Sequence, residues 1–282
     1  MTIRRTTISL LGVAVAILGA TGCRDGANHA GTTTTAVRPK VTTTQAPAAT
    51  SVSVYFIRAE KVGPARRPAV AATPARSAVE ALLAGPSAAD GNAGLTTAIP
   101  TGTQLLGLDI ASGTATVDLS GSFGSGGGSL SMQERVAQLV YTLTQFPTVQ
   151  QVSFHIDGKP ATSLGGEGLI IDTPQTRAAW ESATPAILLE SPLPGDTVAS
   201  PIVINGTANT FEATFQVRLV DAGGSKVYEH YVTATSGTGT RGTFHESIAF
   251  RGAAPGPGTL EVFEVSAKDG SEINSVKVPV SL

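Results

Sequence analysis

Apolar and polar positions alternate clearly from residue 51 onward. Val52-Ser-Val-Tyr-Phe-Ile57 is rich in β-branched and aromatic side chains and reads as a strand. Residues 61–68, with Lys61, Arg66, Arg67 and two prolines, read as an exposed basic loop. Thr73-Pro74 supplies a helix cap and a first helical residue. Ala78, Val79, Leu82 and Leu83 then form an apolar stripe that Gly85-Pro86 stops. Leu106, Leu108 and Ile110 alternate, as do Ala115, Val117 and Leu119, and Ser112-Gly113 between them reads as a hairpin turn. A glycine-rich stretch, 121–128, leads into the longest helix. There Ser131-x-x-Glu134 fits a capping box, and Met132, Val136, Leu139, Val140, Leu143 and Phe146 share one face before Pro147. Val152, Phe154 and Ile156 alternate with Ser153, His155 and Asp157, and Asp157-Gly158 marks a turn. Strand, helix, two strands, helix, strand predicts one sheet with two helices covering a face.

Residues 173–184 read as a linker that holds the single tryptophan, Trp180. From residue 185 no helical period survives. Strand-like runs fall at 187–190, 202–206, 214–220, 226–235, 243–250, 260–267 and 275–282, with turn signals such as Ala222-Gly-Gly224 and Lys268-Asp-Gly270 between them. Seven short strands in about 100 residues predict an immunoglobulin-like sandwich. Phe215, Val217, Leu219, Phe244, Ile248 and Phe250 would pack between its sheets. The expected class is therefore α+β: an α/β domain over 51–172, then an all-β sandwich over 185–282.

The chain has 282 residues, net charge −2 and 14% charged residues, against roughly 25% in ordinary soluble domains. No overall electrostatic argument favours nucleic acid. Arg4 and Arg5 precede an uncharged run over 8–22 that ends in small residues and Cys23, the only cysteine. That order reads as a secretory signal peptide over 1–22, too short for the roughly 20 apolar residues of a membrane span. Cys23 has no partner, so the fold must stand without disulfides. Residues 23–50 are rich in Thr, Ala and Pro and nearly lack large apolar side chains, which predicts a disordered tether spanning roughly 25–30 Å.

Ala20-Thr-Gly-Cys23 resembles a bacterial lipoprotein signal, departing from its pattern only in having Ala where Leu is commoner. That resemblance implies a lipid on the Cys23 sulfur and a membrane-anchored protein facing the extracytoplasmic side. Ala78-Val-Glu-Ala-Leu-Leu-Ala-Gly-Pro86, Ala98-Ile-Pro-Thr-Gly-Thr103, Ala115-Thr-Val-Asp-Leu-Ser120 and Val152-Ser-Phe-His-Ile-Asp-Gly158 resemble the GerMN domain of sporulation and spore germination proteins. Ser191-Pro-Leu-Pro-Gly-Asp-Thr-Val198, Ile204-Asn-Gly-Thr-Ala-Asn209, Phe211-Glu-Ala-Thr-Phe215 and Ser266-Ala-Lys-Asp-Gly-Ser-Glu272 resemble the immunoglobulin-like domain of bacterial spore germination. Together these resemblances imply a non-enzymatic envelope module with protein partners, no nucleic acid and no cofactor. A binding module for a cell-wall glycan or small solute, at the sandwich or the domain junction, is the alternative.

Candidate chemistry is sparse. His155, His230 and His245 lie on strands without metal-ligand spacing and read as surface histidines. The 121–128 stretch could hold an anion on backbone amides but lacks a phosphate-loop lysine, so it reads as a plain loop. Asp109, Asp118 and Asp157 read as a solvated face. Asn205-Gly-Thr207 matches a glycosylation sequon by chance in a chain with a bacterial signal. Phe211-Glu212 reads as a structural corner ahead of a recognition loop, and Arg66-Arg67 as a solvated pair ahead of a lipid-contacting patch.

Overall fold

The computed structural model describes residues 49–282 except Glu167. Cys23, the expected leader and nearly all of the expected tether lie outside the described residues. The first strand, β1 (Ala49–Arg58), turns through Ala59 and Glu60, both with positive φ (49° and 63°), into β2 (Lys61–Val70). The pairing is antiparallel and closes at Arg58↔Lys61, a two-residue mirror-image hairpin. The stretch expected as an exposed loop is thus a strand, with Val62 and Ala65 buried. Its prolines fit because they face the right way. Pro64 and Pro68 are four residues apart and pair with Tyr55 and Ser51, positions whose backbone points away from the partner strand.

Helix α1 (Pro74–Leu83) starts at the expected Thr73-Pro74, though the Thr73 side chain makes no capping bond. A short α2 (Ala88–Asn92) opens with a Ser87–Asp90 capping box. β3 (Leu105–Ala111) and β4 (Thr114–Leu119) form the expected hairpin, with Ser112 and Gly113 at φ 50° and 81°. Helix α3 (Ser129–Leu143) follows, and β5 (Gln151–Ile156) returns parallel to β4 before β6 (Lys159–Pro160). The sheet order is β3-β4-β5-β6, and β7 (Ser163–Leu164) pairs with β8 (Leu169–Ile170) alone. Ala115, Val117, Leu119, Val152 and Phe154 are buried as expected. Leu106 and Ile110 are not: β3 is an edge strand with a bulge between Leu105 and Gly107, and both side chains are exposed.

The single sheet expected for this module is therefore several, because β1 never joins β3-β4-β5-β6. A row of side chains from α3 and the turn after it bonds its free edge. The Gln145 amide accepts from Ser53 N (2.8 Å) and donates to Ser53 O (2.5 Å). Thr142 Oγ1 accepts from Tyr55 N (3.1 Å), and Gln138 Nε2 donates to Tyr55 O (3.2 Å). Ile57 exchanges backbone bonds with Thr96 (2.8 and 2.7 Å). Gln138 and Thr142 stand at i and i+4 on α3 and Gln145 follows in the turn after its C-cap, so one helix face and its exit together act as a strand. α3 also begins two residues before the expected capping box. Gly128 is its N-cap, and Ser131 Oγ instead accepts from Arg135 Nη2 (3.1 Å).

The second module contains all seven expected strands: β9 (Ile187–Ser191), β10 (Ile202–Ala208), β11 (Thr214–Val220), β12 (Lys226–Thr233), β13 (Gly242–Ile248), β14 (Pro257–Val265) and β15 (Glu272–Ser281). They form sheets of order β13-β10-β9 and β12-β11-β14-β15. Phe215, Val217, Leu219, Phe244 and Ile248 are buried between them, and Phe250 packs half-buried at the margin. Gly206 is required where β10 crosses β9, since a Cβ there would lie 2.0 Å from the Leu188 carbonyl oxygen. Among the described residues no helix is long and apolar enough to cross a membrane.

Replacing Gln138 with Leu leaves Tyr55 O and Ala98 N without their side-chain partner. The variant is expected to lose about 1–3 kcal/mol of stability, read as a lower urea midpoint. Arg76→Ala, at an exposed helical pair, is expected to stay within about 0.5 kcal/mol.

Candidate functional site

The polar side chains that sequence reading left unassigned gather where the two modules meet. The described residues lie in one compact unit, and the 3-10 turn Arg177–Ala183 connects its halves with Trp180 and Ala183 buried. Arg177 stands at the centre. Its guanidinium lies over the ring of Tyr141 (4.6 Å to the centroid) and that of Tyr55 (5.4 Å). Nη1 donates to Glu190 Oε1 (2.8 Å), Nε to Thr144 Oγ1 (2.8 Å), and Nη2 reaches Tyr141 O (3.3 Å). The Tyr55 hydroxyl donates to the same Glu190 oxygen, and the Tyr141 hydroxyl bonds Thr184. β1, α3, the turn and β9 each contribute one member.

Burial pushes the Tyr55 hydroxyl far above its ordinary value, and the Glu190 charge adds to the rise. Burial alone would lower Arg177, but Tyr55 and Glu190 outweigh it and hold the guanidinium charged. Tyr141 is raised, chiefly by burial. Neither phenol is therefore poised to give up its proton near neutral pH.

Two further ion pairs flank this centre. Arg241 grips Glu181 with two bonds, Nε to Oε2 (2.8 Å) and Nη2 to Oε1 (2.9 Å), and also donates to Thr207 Oγ1 (3.2 Å) and Pro185 O (2.8 Å). Asn209 Nδ2 donates to the same carboxylate (2.9 Å). Arg66 grips Asp196 through Nε (2.8 Å) and Nη2 (2.6 Å), and Lys61 Nζ donates to Ser182 O (2.6 Å). A cleft of about 590 Å³ lies between the modules, lined by Tyr141, Arg177, Glu181, Thr207, Thr240 and Arg241. The guanidinium nitrogens of its two arginines already donate to protein groups. What the arrangement can do chemically is fix two modules to each other.

The basic pair expected to be solvated is thus used up: Arg66 reaches the sandwich, while Arg67 turns inward over Phe56 (5.2 Å) and pairs with Asp90. The glycine-rich stretch also differs from an anion cradle. Its carbonyls point inward to Arg135, whose guanidinium donates to Phe123 O (2.7 Å), Ser125 O (2.9 Å), Gly126 O (2.8 Å) and Ala98 O (2.9 Å). Asp118 and Asp157 tie turns, accepting from Gly158 N (3.0 Å) and Gly121 N (3.1 Å), while Asp109 is exposed. His155 is half-buried on β5, His230 stands edge-on to Tyr231 (4.7 Å), and His245 is exposed on β13. Among the described residues no group of His, Cys, Asp and Glu could hold a metal. Asn205 lies on β10. Phe211, 59% exposed, leads a corner in which Glu212 and Ala213 both have positive φ (52° and 59°), and Glu264 accepts its amide (3.2 Å). Cys23 lies outside the described residues.

The two modules also match known families. Residues 53–162 match a family described as sporulation and spore germination, and residues 186–271 match the immunoglobulin-like domain of bacterial spore germination. In both halves, the chain resembles sporulation and germination proteins. Neither germination-type module is known as an enzyme. The solved tandem GerMN domains of the sporulation protein GerM from Bacillus subtilis are similar at 19% identity and TM-score 0.41, over 72% of this chain and 62% of that one. The first GerMN domain of the same protein is similar at 22% identity and TM-score 0.38, over 46% of this chain and 98% of that one. No curated protein matches the chain.

The seam should respond to acid. Burial alone would raise the carboxyls of Glu181 and Asp196, but hydrogen bonds from Arg241 and Asn209 on one, and from Arg66 and Leu193 N on the other, hold both below their ordinary values of 4.5 and 3.8. A folded value below the unfolded one means that each group stabilises the fold above the ordinary carboxylate range. That contribution is lost as pH falls through the folded value. Amide protection over residues 177–196, measured as exchange relative to the unfolded chain at the same pH, is expected to fall below about pH 4, and Glu181→Gln is expected to flatten that dependence.

Proposed function

We propose that this chain is a non-enzymatic, lipid-anchored protein on the extracytoplasmic face of the cell membrane. Cys23 carries the lipid, the following residues up to about 50 give reach, and the two joined modules present surfaces to other envelope proteins. The observation that carries this reading is the seam, whose arginines and carboxylates bond one another and so build a rigid pair of modules. The germination-family likeness in both halves supports a role in sporulation, germination or a related envelope assembly. No part of the reading calls for nucleic acid or a cofactor.

A second reading has one observation in its favour. The seam cleft, at about 590 Å³, falls within the size range of small-molecule sites. A cell-wall glycan or small solute is the class of ligand it would take. Thr240→Trp, which narrows the cleft, would then abolish retention on cell-wall material; unchanged retention removes this reading.

Under the first reading, Cys23→Ala is expected to abolish fatty-acid labelling and shift the protein out of the membrane fraction. Labelling and fractionation identical to wild type would overturn the anchor.

A further inference from the structure

Open sheet edges invite pairing with other chains, and proteins guard them with proline, charge or cover. Most edges here are guarded. β2 carries Pro64 and Pro68, β6 ends in Pro160, β12 carries Lys226 and Glu229, β13 carries His245 and Glu246, and β15 carries Lys277 and Pro279. The free edge of β1 is covered by Thr96, Thr142 and Gln145. The β9 strand takes part in the seam through Glu190.

β3 is different. It reads Leu-Leu-Gly-Leu-Asp-Ile-Ala, with neither proline nor lysine and with Asp109 as its single charge. It is the outer strand of its sheet, and Leu106 and Ile110 are 48% and 38% exposed. The two-residue turn makes Ala111↔Thr114 the closing bonded pair. Alternation then places the N–H and C=O of Leu108 and Ile110 on the side away from β4. No bond to those outward groups occurs among the described residues.

We propose that β3 is the contact strand of a homodimer, in which two copies pair β3 to β3, antiparallel, about a two-fold axis at Leu108. The register argues for a second copy of this chain. Centred on Leu108, it sets Leu108 against Leu108, Ile110 against Leu106 and Asp109 against Gly107, so apolar side chains meet and no like charges do. Centred on Asp109, it would oppose two carboxylates. The strand is thus self-complementary in the register centred on Leu108, as a two-fold interface requires. The inference goes beyond the membrane reading and does not depend on Cys23.

The full chain in a Cys23→Ser background, solubilised in detergent, is examined by sedimentation equilibrium. The expected result is a two-chain mass that reverts to one chain in Ile110→Lys, a substitution at an exposed side chain that leaves the fold intact by circular dichroism. The register is read by oxidation: Gly107→Cys with Asp109→Cys is expected to cross-link two copies, and Asp109→Cys alone is not. A one-chain mass at the highest concentration reached, a dimer that survives Ile110→Lys, or cross-linking through Asp109→Cys alone would each overturn the proposal.

Discussion

The free edge of β1 is the constraint on which the first module depends. Backbone N–H and C=O groups that lose water without gaining a partner are costly, of order 1–3 kcal/mol each. β1 is bonded to β2 on one side only, and its centre is buried on both faces, with Val54, Tyr55 and Phe56 nearly inaccessible. No third strand arrives. The missing ladder is supplied by Gln138 and Thr142 of α3 and by Gln145 in the turn just after it, so the helix must lie alongside β1 at a fixed rotation and height for all three to reach. That requirement brings Tyr141 beside Tyr55, with ring centroids 5.5 Å apart. The two rings make the floor on which the Arg177 guanidinium rests, and Arg177 in turn takes Glu190 of the second module. The seam is therefore a consequence of how a hairpin edge is satisfied.

Arg135 and Arg241 illustrate two ways of keeping a guanidinium away from water. Arg241 meets a carboxylate, and the pair is bidentate, which fixes direction as well as distance. Arg135 has carbonyl acceptors and Ser131 Oγ around its guanidinium, with no carboxylate among its bonded partners. Burial pushes its pKa down, yet an arginine starts so high that it stays charged. The cost of burying that charge is offset by several oriented dipoles, and the loop 121–126 takes its shape from the need to aim them. A lysine could not serve, because it lacks the planar fork that reaches carbonyls on separate turns.

The sandwich was legible because short strand-like runs recur along it and are separated by glycine or proline turns, from Pro194-Gly195 to Lys268-Asp-Gly270. The first module was less so. β2 was hidden twice, by prolines that normally argue against a strand and by a turn of Ala59 and Glu60 that carries neither glycine nor asparagine. The buried row on α3 was hidden because helical periodicity is read from apolar residues, and Gln138 and Thr142 look like the solvent face. Leu106 and Ile110 misled in the opposite sense: their alternation is genuine, but a bulge and an edge position leave them outside the core. The seam was not legible at all. Tyr55, Tyr141, Arg177, Glu181, Glu190 and Arg241 are scattered over the chain, and their relation exists only after both modules have folded. The one local hint was polar or phenolic side chains inside strongly apolar runs.

Ion pairs at such a seam are a poor source of stability, since desolvation consumes much of the attraction. Their geometry does something an apolar seam could not. Arg66–Asp196 leaves from β2, Arg177–Glu190 from the connecting turn to β9, and Arg241–Glu181 from the loop before β13 back to the turn. An apolar contact of similar area tolerates sliding and rotation, because any well-packed arrangement removes about the same surface from water. Directed, mostly bidentate bonds at three separate places do not, because a small rotation that keeps one pair stretches the others. The angle between the modules is thus set by hydrogen-bond direction, while their separate cores supply the stability that the angle needs.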